Sequence, residues 1–354
     1  MKFDQCIFAC LLSFTVPYTY AALPTLLNDE KNSIEVFHQA SNKVAFIHRL
    51  TTVVDPMHQI MAVKESGSGS GIVWDKAGHV LTNFHVIKGA EHFSISLNGR
   101  TYHASVIGFE PRKDIAVLKI QSPDITSVLK DFKPLEIAPT SELQVGQKAL
   151  AIGNPFGFDH SLTVGVISAV GRQMPGVGGV TIHDMIQTDA SINPGNSGGP
   201  LLDSSGRLIG MNTAIYSESG SSSGVGFAVP ADEISRVVSQ IIQHGRVKLA
   251  GIGIQPVPPS IATHFGVIKG ILVADVLPNT PAQAAGIRAT HRDAIGRLVM
   301  GDIIVGLNGH PIKNYDELYH LLTKIDIGST VTVTIIRENQ AIDLKFKTID
   351  IGAY

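Results

Sequence analysis

Along most of the chain, apolar residues come in short runs, each closed by Gly, Asn, Asp or Pro. From Gly67 onward they recur as Gly71–Trp74, Val80–Thr82, Phe93–Leu97, Ala104–Phe109, Ile115–Ile120, Ala149–Ile152, Thr163–Val170, Ile186–Thr188, Pro200–Asp203, Leu208–Thr213 and Val225–Val229. Strands of about 4–8 residues at close spacing, without helices between them, predict a β-sandwich or β-barrel. The period then changes. Ile234, Val237, Val238, Ile241 and Ile242 mark one face of a helix that Pro230 and Asp232 open and Gly245 stops. Beyond Ala250 the pattern is that of a small α+β module. Thr280-Pro281 starts a short helix ending at Gly286, and Asn314 with Glu317 forms a capping box for a helix running to Ile325. Val331–Ile336 and Ile342–Phe346 read as strands. Upstream, residues 22–65 are mixed: Ser33–Leu50 contains an alternating stretch, and Thr51–Lys64, with Pro56, reads as a loop.

Composition narrows the class. The 354 residues carry 28 Lys+Arg against 30 Asp+Glu, too balanced to favour nucleic acid. At 44% hydrophobic and 16% charged, the chain is too apolar for disorder. Both cysteines, Cys6 and Cys10, lie in an apolar run from Cys6 to Val16 that follows Lys2 and ends at Pro17. With small residues at Thr19 and Ala21, residues 1–21 read as a secretory signal. At about 1.5 Å per residue the run is too short to span a bilayer. The rival readings are a buried helix and a lipid-bearing Cys10. Cleavage after Ala21 leaves no thiol to staple the fold or act as nucleophile.

The strongest chemical signal is Asp189-Ala-Ser-Ile-Asn-Pro-Gly195-Asn196-Ser197-Gly198-Gly199-Pro200. A serine framed by glycines can present its hydroxyl on a tight turn while neighbouring amides face a developing oxyanion. Gly195 and Ser197 are the candidate donors, with Asn196 beside them. A serine hydroxyl needs a base, and the base an orienting acid. Thr82-Asn83-Phe84-His85 offers the base just after a strand, and Lys113-Asp114-Ile115 the acid at the start of another. The chain order His85, Asp114, Ser197 is that of the chymotrypsin barrel. There is no His-Glu-x-x-His and no Cys/His cluster, so no metal or other cofactor is implied.

From about residue 34 to its C-terminus the chain resembles the HtrA/Deg serine proteases. Matching motifs are Gly67-Ser-Gly-Ser-Gly71, Thr82–Val86, Asp114–Leu118, Ile152-Gly-Asn-Pro-Phe156, Gln187–Ala190, Asn196–Pro200 and Gly226–Pro230. The insertion Thr290–Leu298 and the short loop at residues 51–66 resemble the branch found in chloroplast lumens and some bacteria. The resemblance implies a chymotrypsin-like double six-stranded β-barrel (residues 22–245) followed by one α+β PDZ domain (246–354). It implies an exported, ATP-independent endopeptidase that cuts unfolded polypeptides, in the bacterial periplasm first, with a plastid lumen or a membrane tether through an uncleaved signal as the alternatives. A catalytically quiet PDZ adaptor is the rival class. No membrane span is expected after signal removal.

The resemblance also assigns residues. Ser191, six positions before the nucleophile, lines the primary pocket and lacks the acid that would select Arg or Lys. Ile192, Ile215, Tyr216 and Ser217 complete an apolar slot for Val, Ile, Leu or Ala. One methylene there is worth only about 1–3 kcal/mol, so cleavage should be loose in sequence. Arg172 corresponds to the sensor-loop arginine, ahead of the glycine-rich Gly176–Gly179. Ala250, Gly251 and Ile252 correspond to the PDZ loop that caps a peptide C-terminal carboxylate, the peptide adding as a strand. Pro256, Pro258 and Pro259 leave it a short edge. A homotrimer, assembled through the N-terminal segment, is implied as well. The 14 histidines leave open a pH response, with solvated surface histidines the plainer reading.

Overall fold

The computed structural model describes residues 25–54, 61–155, 159–175, 181–215 and 224–353. The leader with Cys6 and Cys10 lies outside the described residues, as do Phe156, Gly176–Gly179, Tyr216 and Ser217. A helix, Asn28–Ala40, precedes two closed barrels. The first comprises β1 (Val44–Val54), β2 (Met61–Val73), β3 (His79–Thr82), β4 (His92–Leu97), β5 (Arg100–Glu110) and β6 (Ile115–Ile120), in the order β1-β2-β3-β6-β5-β4. The second comprises β7 (Lys148–Gly153), β8 (Ser161–Pro175), β9 (Thr181–Thr188), β10 (Pro200–Leu202), β11 (Leu208–Ile215) and β12 (Gly226–Pro230), in the order β10-β11-β12-β9-β8-β7.

Side-chain alternation explains why short runs suffice. In β4, Phe93, Ile95 and Leu97 are buried while His92, Ser94 and Ser96 reach the other side. Ile47, Val80, Ile95, Leu118 and Ile120 pack in the first barrel. Ala151, Ile167, Ile186, Leu201 and Ile209 pack in the second. A third cluster joins the two: Leu81 and Val117 of the first barrel meet Ile152, Leu202 and Met211 of the second. It extends to Ile234, Val237, Val238 and Ile241 of the helix Ala231–His244. That helix starts after Pro230 and stops at Gly245, which takes the left-handed conformation at φ 72°.

Two readings of the N-terminal region change. The alternating stretch from Ser33 divides into the end of a helix and the start of β1. The expected loop is mostly a hairpin, pairing Thr51 with Lys64 and Val54 with Met61. Only residues 55–60 separate those strands.

The C-terminal module holds β13 (Ala250–Gly251), β14 (Ile254–Pro256), β15 (Ile271–Val276), β16 (His291–Arg292), β17 (Leu298–Val299), β18 (Ile303–Leu307), β19 (His310–Pro311), β20 (Thr330–Arg337), β21 (Gln340–Lys347) and β22 (Ile349–Asp350). Its main sheet runs β14-β15-β18-β20-β21, so β14 is an edge, three residues long. The insertion forms the small hairpin β16–β17. The capping box reaches one residue further back than the sequence suggests: Asn314 accepts the Glu317 amide, while Glu317 accepts the amide of Lys313. The helix it opens, Tyr315–Leu322, lies against the barrels. Arg112 covers the Tyr319 ring at 4.5 Å, and the Thr181 hydroxyl donates to Asp316 at 3.0 Å. The rings of His183 and His320 stack 4.3 Å apart.

Candidate active site

The first barrel supplies a histidine and a carboxylate. His85 sits in the one-turn helix Phe84–Ile87 directly after β3. Asp114 ends the turn Pro111–Lys113 with left-handed backbone, φ 55° and ψ 40°, and is 3% exposed. Its carbonyl accepts the Phe84 amide and the Asn83 side chain, each at 3.1 Å, which locks the two segments together. One carboxylate oxygen accepts the His85 amide at 2.9 Å, and the other accepts His85 Nδ1 at 2.8 Å. A carboxylate oxygen accepts, so Nδ1 is the donor of this pair, and in the neutral ring that tautomer leaves the lone pair on Nε2. The Thr213 hydroxyl donates to the same oxygen as the ring.

The second barrel supplies the serine. Asn193 to Asn196 form a turn closed by the Asn196 amide on the Asn193 carbonyl at 3.1 Å. Pro194 stands second and Gly195 third at φ 108°, the pattern of a type II turn. A Cβ at Gly195 would lie 2.4 Å from that of Pro155, so only glycine fits. The Asn196 side chain closes the loop from both ends, accepting the Asn193 amide and donating to the Ser191 carbonyl, each at 3.0 Å. The Gly198 amide donates to Asn212 of β11 at 2.8 Å.

Of the three residues singled out for the oxyanion site, Asn196 has its amide engaged within the turn. The amides of Gly195 and Ser197 donate to no group among the described residues. The Ser197 hydroxyl donates to the Thr213 carbonyl at 3.3 Å rather than to His85. Thr213 therefore touches both the carboxylate and the serine, and sequence reasoning assigned it no role. A threonine on a strand carries no local mark of such a task.

The other sequence candidates fall in different places. Ser191 accepts the Thr163 hydroxyl at 2.9 Å through its carbonyl. Ile192 is 1% exposed and packs in the second barrel, where its side chain occupies the space a Cβ on Gly226 would need. Ile215 ends β11 opposite Gly226. Arg172 stands in the stem of the β8–β9 hairpin rather than in its loop, bonded to Gln187 at 3.0 Å. Ala250 and Gly251 are strand residues paired with Asp350 and Ile349, so the turn proper is Ile252–Gly253, with Gly253 at φ 74°. Arg246 fixes this pairing through a bidentate bond to Asp350, which holds that carboxyl below its ordinary range. No cluster of metal-ligating side chains gathers among the described residues.

Known proteins bear on the same regions. Residues 69–211 match the family profile of the trypsin-like peptidase domain, and residues 250–348 that of the PDZ domain. The chain is 46% identical over 314 residues to the chloroplastic Protease Do-like 1 of Arabidopsis thaliana, covering 88% of this chain and 70% of that protein. It is 37% identical to the periplasmic serine endoprotease DegP of Salmonella typhimurium, covering 79% of this chain and 56% of that one. Among solved structures it superposes on the HtrA-type protease AlgW with a decapeptide, at TM-score 0.67 and 32% identity, over 90% of this chain and 98% of the other.

Proposed function

Because the chain belongs to the HtrA/Deg family of trypsin-like serine endopeptidases, we propose that Ser197 is its nucleophile, His85 its general base and acid, and Asp114 the group that orients His85. The observation that carries this reading is the pair of undonated amides, Gly195 and Ser197, on a turn that admits only glycine beside the serine. The Ser197 hydroxyl swings from the Thr213 carbonyl to His85 Nε2, gives up its proton and attacks the scissile carbonyl. The two amides hold the resulting oxyanion. His85 then protonates the leaving amine, and water hydrolyses the acyl-enzyme by the reverse sequence.

The division into a protease domain at 22–245 and a PDZ domain at 246–354 is part of this reading. Ser191, with Ile192, Ile215, Tyr216 and Ser217, forms a pocket for small or medium apolar side chains, which suits exposed segments of unfolded chains. The enzyme is an exported quality-control protease that works as a homotrimer. The names of its relatives support export, and the short leader favours a periplasm over a plastid lumen. The PDZ module receives peptide C-termini at the turn following Gly251. Arg172 links the β8–β9 hairpin to the state of the site.

Casein hydrolysis tests the reading. The wild type cleaves it, and Ser197→Ala does not. A wild type inert under every activating condition would favour the binding adaptor instead.

A further inference from the structure

The turn that carries Ser197 belongs to the second barrel, yet part of its anchorage comes from the first. Ser70 lies in β2 and is wholly buried. Its hydroxyl donates to the Gly195 carbonyl at 2.6 Å and accepts the Asn154 amide at 2.8 Å. Its amide donates to the Ser197 carbonyl at 2.9 Å, and its carbonyl accepts the Thr82 hydroxyl at 2.8 Å. Each polar atom of Ser70 is thus in use. Two of its four bonds end on the carbonyls of the two residues whose amides stay undonated.

In a planar trans peptide the C=O and N–H point opposite ways, so fixing a carbonyl aims the amide across the same bond. The Asn196 carbonyl is held by the Gly199 amide at 3.0 Å and the Asn212 side chain at 3.4 Å, which aims the Ser197 amide away from them. The Gly195–Asn196 peptide is held through its carbonyl by Ser70 and through its amide by Asn193. Gly195 has no Cβ to restrict it, so these bonds limit its rotation. The Asn154 amide is buried next to Pro155, the residue that packs on Gly195. Without the Ser70 hydroxyl, both the Gly195 carbonyl and the Asn154 amide lose their partner at the site's edge.

We infer that Ser70 is a positioning residue of the oxyanion site, its hydroxyl clamping the nucleophile turn of one barrel to a strand of the other. The inference rests on the reading of Ser197 as nucleophile.

The test compares the purified full chain as wild type, Ser70→Ala, Ser70→Cys and Ser197→Ala. The readouts are kcat and KM on a fluorogenic peptide with valine before the scissile bond, affinity for a peptidyl boronic acid, and thermal melting. The boronate forms a tetrahedral adduct on the serine that places an oxygen among the oxyanion donors. Ser70→Ala is expected to lower kcat about 10–100-fold, below the loss from deleting a donor outright, with KM within about threefold. Boronate affinity should fall in step with kcat. Ser70→Cys keeps a weak donor and acceptor and should lie between wild type and alanine. An unchanged kcat in Ser70→Ala, whatever its melting temperature, overturns the inference. Should the alanine variant fail to fold, Ser70→Cys decides by the same split: a lowered kcat at constant KM upholds it, and wild-type kcat overturns it. An inert wild type or an active Ser197→Ala overturns the underlying reading, and is seen before any Ser70 variant is compared.

Discussion

Asp114 holds His85 from an unusual backbone. The left-handed conformation at φ 55° turns its carboxylate back onto His85, so that one oxygen meets the amide and the other the ring. Asp and Asn tolerate this region better than other side chains. Asp114→Asn should therefore fold with a melting temperature close to wild type, while kcat falls by about 10⁴ because the amide favours the wrong imidazole tautomer. A matched loss of both folding and activity would refute that separation. His85, Asp114 and Ser197 stood out as candidates because each stands in a local string of its own: a histidine after a strand, an Asp before one, a serine among glycines. Thr213 and Ser70 were not legible. They bond to partners 99 and 125 residues away; Thr213 is a single hydroxyl on a strand, and the string Gly67-Ser-Gly-Ser-Gly71 that holds Ser70 does not say which turn its hydroxyl meets.

At the scale of elements, one turn is used three times. Asp75-Lys-Ala-Gly78-His79, Asp203-Ser-Ser-Gly206-Arg207 and Asp293-Ala-Ile-Gly296-Arg297 share a design. One carboxylate oxygen accepts the amide of the fifth residue, the other bonds its side chain, and a positive-φ glycine closes the loop. Context sets its worth. Asp203 is 2% exposed, so Asp203→Ala should cost about 2 kcal/mol by removing a buried carboxylate that accepts the part-buried amides of Ser205 and Arg207 and the Arg207 guanidinium. Asp293 lies on the exposed hairpin β16–β17, and Asp293→Ala should shift the denaturation midpoint less. Equal shifts would contradict this dependence on burial. The first two such turns mark strand ends that could be read from sequence, those of β2 and β3 and of β10 and β11. The helix Asn28–Ala40 could not: only Val36 and Ala40 of its face are buried, too sparse a stripe to stand out. Pro56 suggested a longer break than exists, because Thr51–Val54, rich in β-favouring Thr and Val, pairs as a strand with Met61–Lys64.

For the whole molecule, the contact between the barrels and the PDZ helix bears the charge-sensitive groups. Burial pushes His183 and His320 below the ordinary histidine value of 6.5. Lys113 and Lys324 push the same way, and Asp184 opposes them at both rings, with Asp316 also opposing at His183. The unfolded chain then binds more protons than the folded one between the lowered value and 6.5, so stability is present above that range and lost as pH falls through it. Wild type should lose more melting temperature than His320→Phe between about pH 7.5 and about pH 5.5. Parallel curves would exclude the pair as a source of pH dependence. Tyr319 beside them, pushed up to about 12 by burial, stays neutral throughout. The double barrel itself was foreseen, since its strands are short and each is marked at its ends. This contact was not, because neither histidine's local string distinguishes it from a surface residue. The split of the site between barrels has a further consequence for a chain made from its N-terminus. His85 and Asp114 emerge on a barrel that closes by itself, whereas the turn around Ser197 needs β11 and β12, through Pro230, before it has walls to stand on. On the proposed reading, a half-made chain holds a base and an acid but no mounted nucleophile, and cutting power arrives only when synthesis has passed the second barrel.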